Sequence, residues 1–345
     1  MSRALNRKTG LTLGKYAPLH QGHQLVIETA LSEMDEVVVL VYDSPETTDI
    51  PLAVRARWIR SLYPAARVIE AWDGPREVGY TPELMRAHEA YLTRCVGTGS
   101  VTHFYSSEPY GEHVSRALGA IDRRVDQWRA RFPVSGTAVR KDPYAHRGFL
   151  HSVVYRDLIA NVVLLGAPGT GKSTLARRLA QELRTQWMPE YGREYWEKYQ
   201  AERRLTPEQL VEIAEEHLIH EEALLVRSNR YLFTDTNAIT TATFARYYHG
   251  DVPARLAALA DQAARRYDLV LVCDTDIPYS DTWDRSGEVN RMAFQRQVID
   301  DLRERKVPFF MLRGDLDERV RRVGQLLGRF RKHMNVLDMI DGWSG

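Results

Sequence analysis

Two segments of this chain combine glycines with residues that handle phosphate groups. Residues 14–23 read Gly-Lys-Tyr-Ala-Pro-Leu-His-Gln-Gly-His, and residues 166–173 read Gly-Ala-Pro-Gly-Thr-Gly-Lys-Ser. Glycines let a backbone approach a nucleotide closely, while histidine and lysine supply donors for phosphate oxygens. The first segment predicts a site for nucleotidyl transfer, and the second predicts a site for phosphoryl transfer.

The first segment places His20 and His23 around the expected start of a helix. A helix N-terminus offers unpaired N–H groups and the positive end of the helix dipole, which suits a phosphate chain. At this spacing both imidazoles can face the same anion and donate hydrogen bonds as charge develops during transfer. The two histidines are therefore candidate catalytic residues, and Gly14, Lys15 and Tyr16 are candidate nucleotide-binding residues.

The second segment has the pattern G-x-x-x-x-G-K-S directly after an apolar run at residues 162–165 and before a helical pattern. This context is typical of a Walker A loop, whose backbone N–H groups cradle phosphates. Lys172 is expected to reach the β and γ oxygens of ATP, and Ser173 is expected to ligate Mg²⁺. The other predicted nucleotide-binding residues of this loop are Gly166, Gly169, Thr170, Gly171 and Thr174.

Two acidic residues follow predicted strands in the second half of the chain. Glu190 lies in Pro-Glu-Tyr-Gly-Arg-Glu-Tyr, where P-loop kinases of small molecules place acids that bind the acceptor. It is a candidate to bind or deprotonate an acceptor hydroxyl. Asp235 ends a predicted buried strand, where ligands bind in open α/β sheets, and it can anchor Mg²⁺ through water or act as the base itself. The sequence leaves the choice of base between these two residues open.

A polar loop after the predicted strand at residues 269–273 contains Asp281, Asp284 and Arg285. We predict that this loop is a mobile lid whose arginine closes over the transferring phosphoryl group and excludes water. Arg285 is the first candidate for this catalytic role, and Arg291 is the second. Which of the two acids accompanies the arginine stays open.

A small polar cluster precedes an arginine at residues 134–140, which read Val-Ser-Gly-Thr-Ala-Val-Arg. Ser135 or Thr137 can cap a helix N-terminus, and Arg140 offers a forked donor for phosphate. Together with the glycine-histidine segment, this pattern resembles the nucleotidyltransferase family that includes the NMN adenylyltransferases. The resemblance implies that the paired histidines and Arg140 grip the phosphates of ATP, and that no covalent enzyme intermediate forms. Residues 106–110 resemble the S-x-E segment that lines the nucleotide site in this family.

The order of the motifs carries information of its own. An adenylyltransferase-like half, followed by a half with G-x-P-G-T-G-K-S, P-E-Y-x-R-E-Y, T-D-T-N and C-D-T-D, resembles the bifunctional NadR-type enzymes over residues 11–328. The resemblance implies a ribosylnicotinamide kinase fused behind an NMN adenylyltransferase. It further implies ATP as co-substrate, Mg²⁺ as cofactor, and nicotinamide riboside and NMN as substrates. Another nucleoside or a vitamin alcohol as acceptor, and a nucleotide-sensing regulator with weak turnover, stay open as alternatives.

Short apolar runs alternate with longer amphipathic stretches in both halves, which is typical of parallel α/β architecture. We predict two doubly wound parallel-sheet domains: a Rossmann-like nucleotidyltransferase domain over residues 1–150 and a P-loop kinase domain over residues 151–345. The boundary is placed in residues 141–157, which show no sustained period. The predicted strands are residues 11–13, 37–42, 67–71, 101–106, 161–165, 231–234, 269–273 and 307–312, and the clearest helices are residues 26–34, 53–62, 82–96 and 173–184.

The charge and composition of the chain indicate which class of molecule it binds. The 345 residues carry a formal net charge of +1, which gives no electrostatic case for a polyanion binder. Residues 319–332 are rich in arginine but have an apolar stripe at helical spacing, so we expect an amphipathic helix there. Only about ten residues precede the first predicted strand, which leaves no room for a helix-turn-helix domain. We therefore expect small-molecule partners and no nucleic acid.

Cysteine usage and hydropathy bear on the compartment. The chain has two cysteines, Cys95 and Cys273, one in each predicted domain, so they form neither a disulfide framework nor a metal clip. No apolar run approaches the length that spans a bilayer. We expect a cytoplasmic protein with no membrane insertion, and whether copies of the chain form a homo-oligomer stays open.

Overall fold

A computed structural model of the chain describes residues 7–75, 81–97, 99–108, 111–200, 205–278 and 287–333, with the backbone alone for residues 287–289. The chain divides into two units, Met1–Tyr155 and Arg156–Gly345. This division falls inside residues 141–157, the segment in which the sequence predicts the domain boundary. Each unit has its own sheet and is described by itself.

The first unit contains a five-stranded parallel sheet in the order β3-β2-β1-β4-β5. Its strands are β1 Thr9–Gly14, β2 Glu36–Tyr42, β3 Arg67–Ala71, β4 His103–Ser106 and β5 Ile121–Arg124. The apolar run at residues 37–41 is buried along its whole length, as expected of a parallel strand covered on both faces. The strand order reverses between β1 and β4, and ligands bind at the carboxyl edge of an α/β sheet at such a point.

The helices of the first unit begin where the sequence supplies caps. They are α1 Gln21–Glu33, α2 Leu52–Leu62, α3 Pro82–Val96, α4 Gly111–Leu118 and α5 Gly136–Lys141. Thr81 accepts a hydrogen bond from a backbone N–H in the first turn of α3, and Ser135 does the same for α5. A short 3₁₀ turn, Arg147–Phe149, and α6 Ser152–Leu158 lead from the first unit into the second.

The second unit contains another five-stranded parallel sheet, in the order β10-β9-β6-β8-β7. Its strands are β6 Ala160–Leu165, β7 Gln186–Met188, β8 Tyr231–Asp235, β9 Leu269–Cys273 and β10 Phe310–Leu312. The central strand β6 is fully buried and leads directly into the glycine-rich loop. The order again reverses at β6, because β8 and β9 lie on either side of it.

Two separate cores sandwich this second sheet. Its helices are α7 Lys172–Glu182, α8 Tyr191–Tyr199, α9 Pro207–Leu225, α10 Ala238–His249, α11 Ala254–Ala263, α12 Gly287–Glu304 and α13 Leu316–Arg329. Val163 and Leu165 of β6 pack in the core with α9 to α12, whereas Val162 and Leu164 pack in the core with α7 and α13. Alternate residues of one strand thus reach opposite faces. The predicted class, two α/β doubly wound domains, is confirmed.

The sequence prediction missed two strands and began two others too early, β4, which starts at His103 and not at residue 101, and β10. The strand β5 reads Ile-Asp-Arg-Arg and lies at the sheet edge, so its polar residues give no buried-strand signal. The strand β7 has only three residues. The strand β10 begins at Phe310 and not at residue 307, and Pro308 in between has no N–H to donate to a ladder. In the described part of the chain, no helix is long and apolar enough to cross a membrane.

Candidate active sites

A cleft lies at the carboxyl ends of β1, β2 and β4 in the first unit, at the point where the strand order reverses. It brings together residues from five separate segments of the chain, at residues 12–26, 42–46, 75–92, 106–114 and 129–140. The predicted residues among its lining are Gly14, Lys15, Tyr16, His23, Ser135, Thr137 and Arg140. His20 lies beside His23 in an adjoining hollow, and Ser107 and Glu108 of the predicted S-x-E segment line both hollows. The structure therefore places every residue predicted for the first site in one region.

The two histidines pack against each other at the start of α1. His20 is the N-cap residue, and its ring stacks on that of His23 with centroids 3.7 Å apart. The backbone N–H of His20 donates a hydrogen bond to Nδ1 of His23 over 3.4 Å. Because Nδ1 then acts as acceptor, the neutral ring carries its proton on Nε2, which can donate to a phosphate oxygen.

Burial and neighbouring cations keep both histidines neutral. Burial, together with the charges of Arg129 and Arg140, lowers the pKa of His20 to about 4. Burial also lowers the pKa of His23 well below its usual value, with His20 and the same two arginines acting in the same direction. A polyphosphate that binds among these groups therefore meets two arginine charges and two neutral N–H donors.

Arg129 also lines this site, although no sequence motif predicted it. Its guanidinium donates to Glu108 over 2.7 Å, and its charge acts on both histidines. It lies in a loop held by Asp126, whose carboxylate accepts hydrogen bonds from the backbone N–H groups of residues 130, 131 and 132. Asp126 and Arg129 both have a positive φ of 49°, which is uncommon for residues other than glycine. The loop is therefore built to hold the Arg129 side chain in place.

A second arginine supports the floor of the same cleft. Arg55 of α2 is buried and donates to the carbonyl oxygens of Lys15, at 2.6 Å, and Tyr42, at 2.7 Å. These two carbonyls lie just after β1 and at the end of β2. Arg140 similarly donates to the carbonyl of Ala17 over 2.6 Å and to Thr137 over 3.1 Å. Long-range arginine bonds thus fix the backbone that carries the first motif.

The phosphate-binding loop of the second unit connects β6 to α7. Its three predicted glycines, Gly166, Gly169 and Gly171, all have positive φ values between 73° and 131°, which other residues rarely adopt. Lys172 is buried, and its ammonium donates to the carbonyls of residues 166 and 167, each over 3.0 Å. All the predicted loop residues, including Thr170, Ser173 and Thr174, line one cavity with Glu190.

Two side chains far away in sequence hold this loop. Gln295 of α12 accepts a hydrogen bond from the N–H of Ala167 over 2.7 Å and donates to the carbonyl of Cys273 over 3.1 Å. Arg319 of α13 is buried, donates to the carbonyl of Thr170 over 2.6 Å and pairs with Asp276 over 2.5 Å. The sequence identified neither residue, because each was one polar position on a helix.

The predicted lid can be placed only in part. Arg285, Asp281 and Asp284 lie outside the described residues. The second candidate, Arg291, is buried on α12, and its guanidinium donates to the carbonyls of Ile277, at 3.1 Å, and Gly169, at 3.5 Å. Arg291 thus lies against the phosphate-binding loop itself.

Asp235 has the features of a magnesium-side carboxylate. It is fully buried at the end of β8, and neither of its oxygens has a hydrogen-bond partner within the described residues. Burial and the charge of Glu190 raise its pKa to about 7, although the charge of Lys172 acts in the opposite direction. Mg²⁺ is usually held by one or two carboxylates together with substrate phosphates. An unpaired buried carboxylate close to Lys172 and Ser173 fits that role.

The cavity has an apolar end that the sequence did not predict. It is formed by side chains of α8, α9 and α10 and by Leu205, two residues before α9; the other members are Trp196, Leu210, Ile213, Phe244 and Tyr248. Between this end and the phosphate-binding loop the lining turns polar, with Glu190, Arg193, His217, Asn237, Thr240 and Thr241. The arrangement suits a molecule with a flat apolar ring at one end and a hydroxyl directed towards the phosphates.

The chain shares its sequence pattern with known proteins along most of its length. A family model described as an AAA domain matches residues 161–319. The trifunctional NAD biosynthesis/regulator protein NadR of Salmonella typhimurium is 26% identical over 343 residues, which cover 93% of this chain and 83% of that protein. The NadR protein of Escherichia coli is also 26% identical and covers 92% of this chain and 82% of its own length.

The fold agrees with this likeness. A crystal structure of NadR protein in complex with NAD and AMP-PNP has a TM-score of 0.56, at 22% identity, and covers 96% of this chain and 99% of its own. A second, in complex with NR, has a TM-score of 0.57 at 22% identity and covers 96% of this chain and 98% of its own. The resemblance to NadR-type proteins is thus confirmed through both units, in sequence and in fold.

Proposed function

We infer that this chain is a bifunctional enzyme that makes NAD from nicotinamide riboside in two ATP-dependent steps. The second unit phosphorylates the riboside to NMN, and the first unit transfers an adenylyl group from ATP to NMN. The observation that carries the proposal is that two cavities of different construction are each lined by residues predicted to bind phosphate, in a chain that resembles NadR proteins in both units.

The kinase step uses the cavity beside the phosphate-binding loop. Backbone N–H groups of the loop and Lys172 hold the β and γ phosphates of ATP. The 5′-hydroxyl oxygen of the riboside bonds to the γ phosphorus, the bond from that phosphorus to the bridging oxygen breaks, and ADP leaves. Ser173 and Asp235 are the residues that would hold Mg²⁺, which neutralises charge on the phosphates when it is bound.

The proton of the attacking hydroxyl is assigned to Glu190. Glu190 lines the cavity between the phosphate-binding loop and its apolar end, where the hydroxyl of an acceptor must lie. Asp235 is fully buried beneath this surface, close to Lys172 and Ser173. This difference in position favours Glu190 as general base and Asp235 as metal-side carboxylate.

The adenylyl step uses the cleft of the first unit. A phosphate oxygen of NMN bonds to the α phosphorus of ATP, the bond between the α phosphorus and the bridging oxygen breaks, and pyrophosphate leaves. His20, His23, Arg129 and Arg140 stabilise the negative charge that develops on the phosphate chain. The N–H donors of two neutral imidazoles and two fixed guanidinium groups can act on the phosphates without any covalent intermediate.

A direct test is incubation of the purified chain with nicotinamide riboside and Mg²⁺-ATP, followed by identification of products by mass. We expect NMN and ADP first, and then NAD and pyrophosphate. Formation of neither product under single-turnover conditions would favour a regulator without turnover. Phosphorylation of a different nucleoside, or of a vitamin alcohol, in preference to the riboside would change the acceptor and retain the two chemistries.

A further inference from the structure

Three side chains in the acceptor cavity each carry a buried polar atom without a hydrogen-bond partner. They are Nδ2 of Asn237, Oγ1 of Thr240 and Nε2 of His217, and none finds a partner within the described residues. The residues are only 3%, 3% and 6% exposed, respectively, and all three line the cavity. A buried polar group that makes no hydrogen bond is costly, so three around one cavity indicate a ligand that satisfies them.

Local structure explains why these atoms stay available. Asn237 caps α10, and its Oδ1 accepts a hydrogen bond from the N–H of Ile239 over 3.0 Å, so only its amide nitrogen remains. Two other threonines of α10 turn their hydroxyls back to the helix: Thr241 donates to a carbonyl over 3.4 Å, and Thr243 does so over 3.0 Å. Thr240 makes no such bond.

Buried hydrogen bonds to Glu221 explain why Nε2 of His217 has no partner among the described residues. Nε2 of His217 lies 3.9 Å from Glu221, which is too far for a hydrogen bond. The carboxylate of Glu221 is already occupied, because it accepts hydrogen bonds from Asn161 and Tyr267, each over 2.7 Å, and from Arg266 over 2.5 Å. Burial lowers the pKa of His217 to about 4. The ring is therefore neutral at pH 7 and offers one donor and one acceptor.

The three groups lie between the two ends of the cavity. Along α10, Asn237, Thr240, Phe244 and Tyr248 follow one another at intervals of about one turn, so the lining changes from polar to aromatic away from the sheet. Along α9, Leu210 and Ile213 of the apolar end are followed by His217. A nucleoside that directs its ring to the aromatic end and its 5′-hydroxyl to Glu190 has its sugar at this middle position.

We propose that Asn237, Thr240 and His217 bind the vicinal 2′- and 3′-hydroxyls of the acceptor sugar and make the kinase selective for ribonucleosides over deoxyribonucleosides. A hydroxyl both donates and accepts, which matches an amide donor, a threonine hydroxyl and a neutral imidazole. None of the three groups carries a charge that would favour a phosphate or carboxylate instead. This assignment rests on the proposed function of the second unit as a nucleoside kinase.

The test compares nicotinamide riboside with its 2′-deoxy and 3′-deoxy analogues as acceptors, in the wild type and in variants. The wild type is expected to prefer the riboside by at least about 10²-fold in kcat/KM, because a deoxy analogue leaves buried groups unpaired. Thr240→Val keeps the shape of the side chain and removes the hydroxyl. Asn237→Asp keeps the cap acceptor and removes the amide donor. Each should lower kcat/KM for the riboside by about 10-fold and change it little for the analogue that lacks the matching hydroxyl.

Thr243→Val is the matched control, because its hydroxyl bonds to the helix and it does not line the cavity. It should leave the preference unchanged. Equal losses with riboside and analogues in Thr240→Val and Asn237→Asp would indicate a merely structural role and overturn the proposal, as would a wild type that accepts all three equally. A wild type that turns over no nucleoside would instead contradict the proposed function.

Discussion

The two proposed phosphate sites of this protein obtain their donors in opposite ways. In the second unit the donors come from one continuous stretch, residues 166–174, and three glycines with positive φ shape that backbone. In the first unit the donors come from the glycine-histidine segment and from Arg129 and Arg140, which follow that segment by more than 100 residues. A contiguous site is specified by its own sequence, whereas a dispersed site exists only when the whole unit has folded.

The side chains that hold the two sites in place also differ. The second site is held from outside by Gln295 and Arg319, which bind loop carbonyl and N–H groups and leave the phosphate face of the loop free. In the first site the arginines do both tasks: Arg140 holds the carbonyl of Ala17 and also faces the histidines. Damage to one arginine of the first site should therefore affect support and chemistry together.

The largest expected effect concerns the general base of the kinase. Glu190→Gln should lower kcat for riboside phosphorylation by about 10²- to 10⁴-fold, because the attacking hydroxyl loses its proton acceptor, with a smaller change in ATP affinity. Adenylylation of supplied NMN should be unaffected. Steady-state kinetics of both reactions will measure this. Asp235→Asn is the comparison. It should raise the Mg²⁺ concentration that phosphorylation requires, because a carboxylate assigned to hold the ion is lost. Near-normal kcat in both variants would show that neither carboxylate is a base.

A variant of the kinase site tests whether the two sites act independently. Lys172→Ala removes the ammonium group that is expected to contact the β and γ oxygens of ATP. The rate of riboside phosphorylation should therefore fall by about 10²- to 10³-fold. Conversion of NMN to NAD should continue at the wild-type rate. Loss of both activities in a variant that remains folded by circular dichroism would contradict the two-site interpretation.

The converse variant acts on the first unit. His23→Ala removes an N–H donor from the phosphate chain and the ring that stacks on His20, so adenylylation should fall by about 10²- to 10³-fold. Phosphorylation of the riboside, assayed by ADP release, should be unchanged. A parallel loss of phosphorylation would mean that the first unit takes part in the kinase reaction.

A stability experiment tests whether Arg319 supports the phosphate-binding loop. Arg319→Met should destabilise the second unit by about 2 to 3 kcal/mol, because the carbonyls of Thr170 and Gly314 lose their guanidinium donor and Asp276 loses its ion-pair partner. Urea denaturation will measure this. Arg321→Met, at an exposed position of the same helix, is the control and should change stability little. Equal stability of the two variants would mean that Arg319 does not support the loop.

The smallest expected effect is a pH dependence of the first unit. The pKa of His20 is about 4 in the folded state, against about 6.5 unfolded, so the unfolded chain binds a proton first as the pH falls. His20 alone should contribute a loss of about 2 kcal/mol of stability between pH 7 and pH 5 and almost nothing above pH 7, and His23, whose pKa is also lowered, should add to the loss. Urea denaturation at the two pH values will measure the loss. His20→Gln should reduce it, whereas His151→Gln, at an exposed position, should not.

Local patterns in the sequence predicted the architecture and the contiguous parts of the sites. Buried β-branched runs and helix caps specify strands and helices within a few residues, and glycines with positive φ specify the turn of the phosphate-binding loop. The missed strands, β5 and β7, are polar or very short, so they have no buried-strand pattern to detect. Their strand conformation follows from pairing at the sheet edge.

Only the tertiary structure identified Arg55, Arg129, Gln295 and Arg319 as parts of the sites, together with the polar groups in the middle of the kinase cavity. Arg319 lies 149 residues from the carbonyl of Thr170 to which it donates, and Gln295 lies 128 residues from Ala167. In the sequence each is one polar residue on a helix, with no local pattern to separate it from a solvated one. The sequence by itself determined which backbone segments form the two proposed phosphate sites, because neighbouring residues dictate local conformation. Which distant side chains hold and complete those segments was decided by the packing of helices on the sheets.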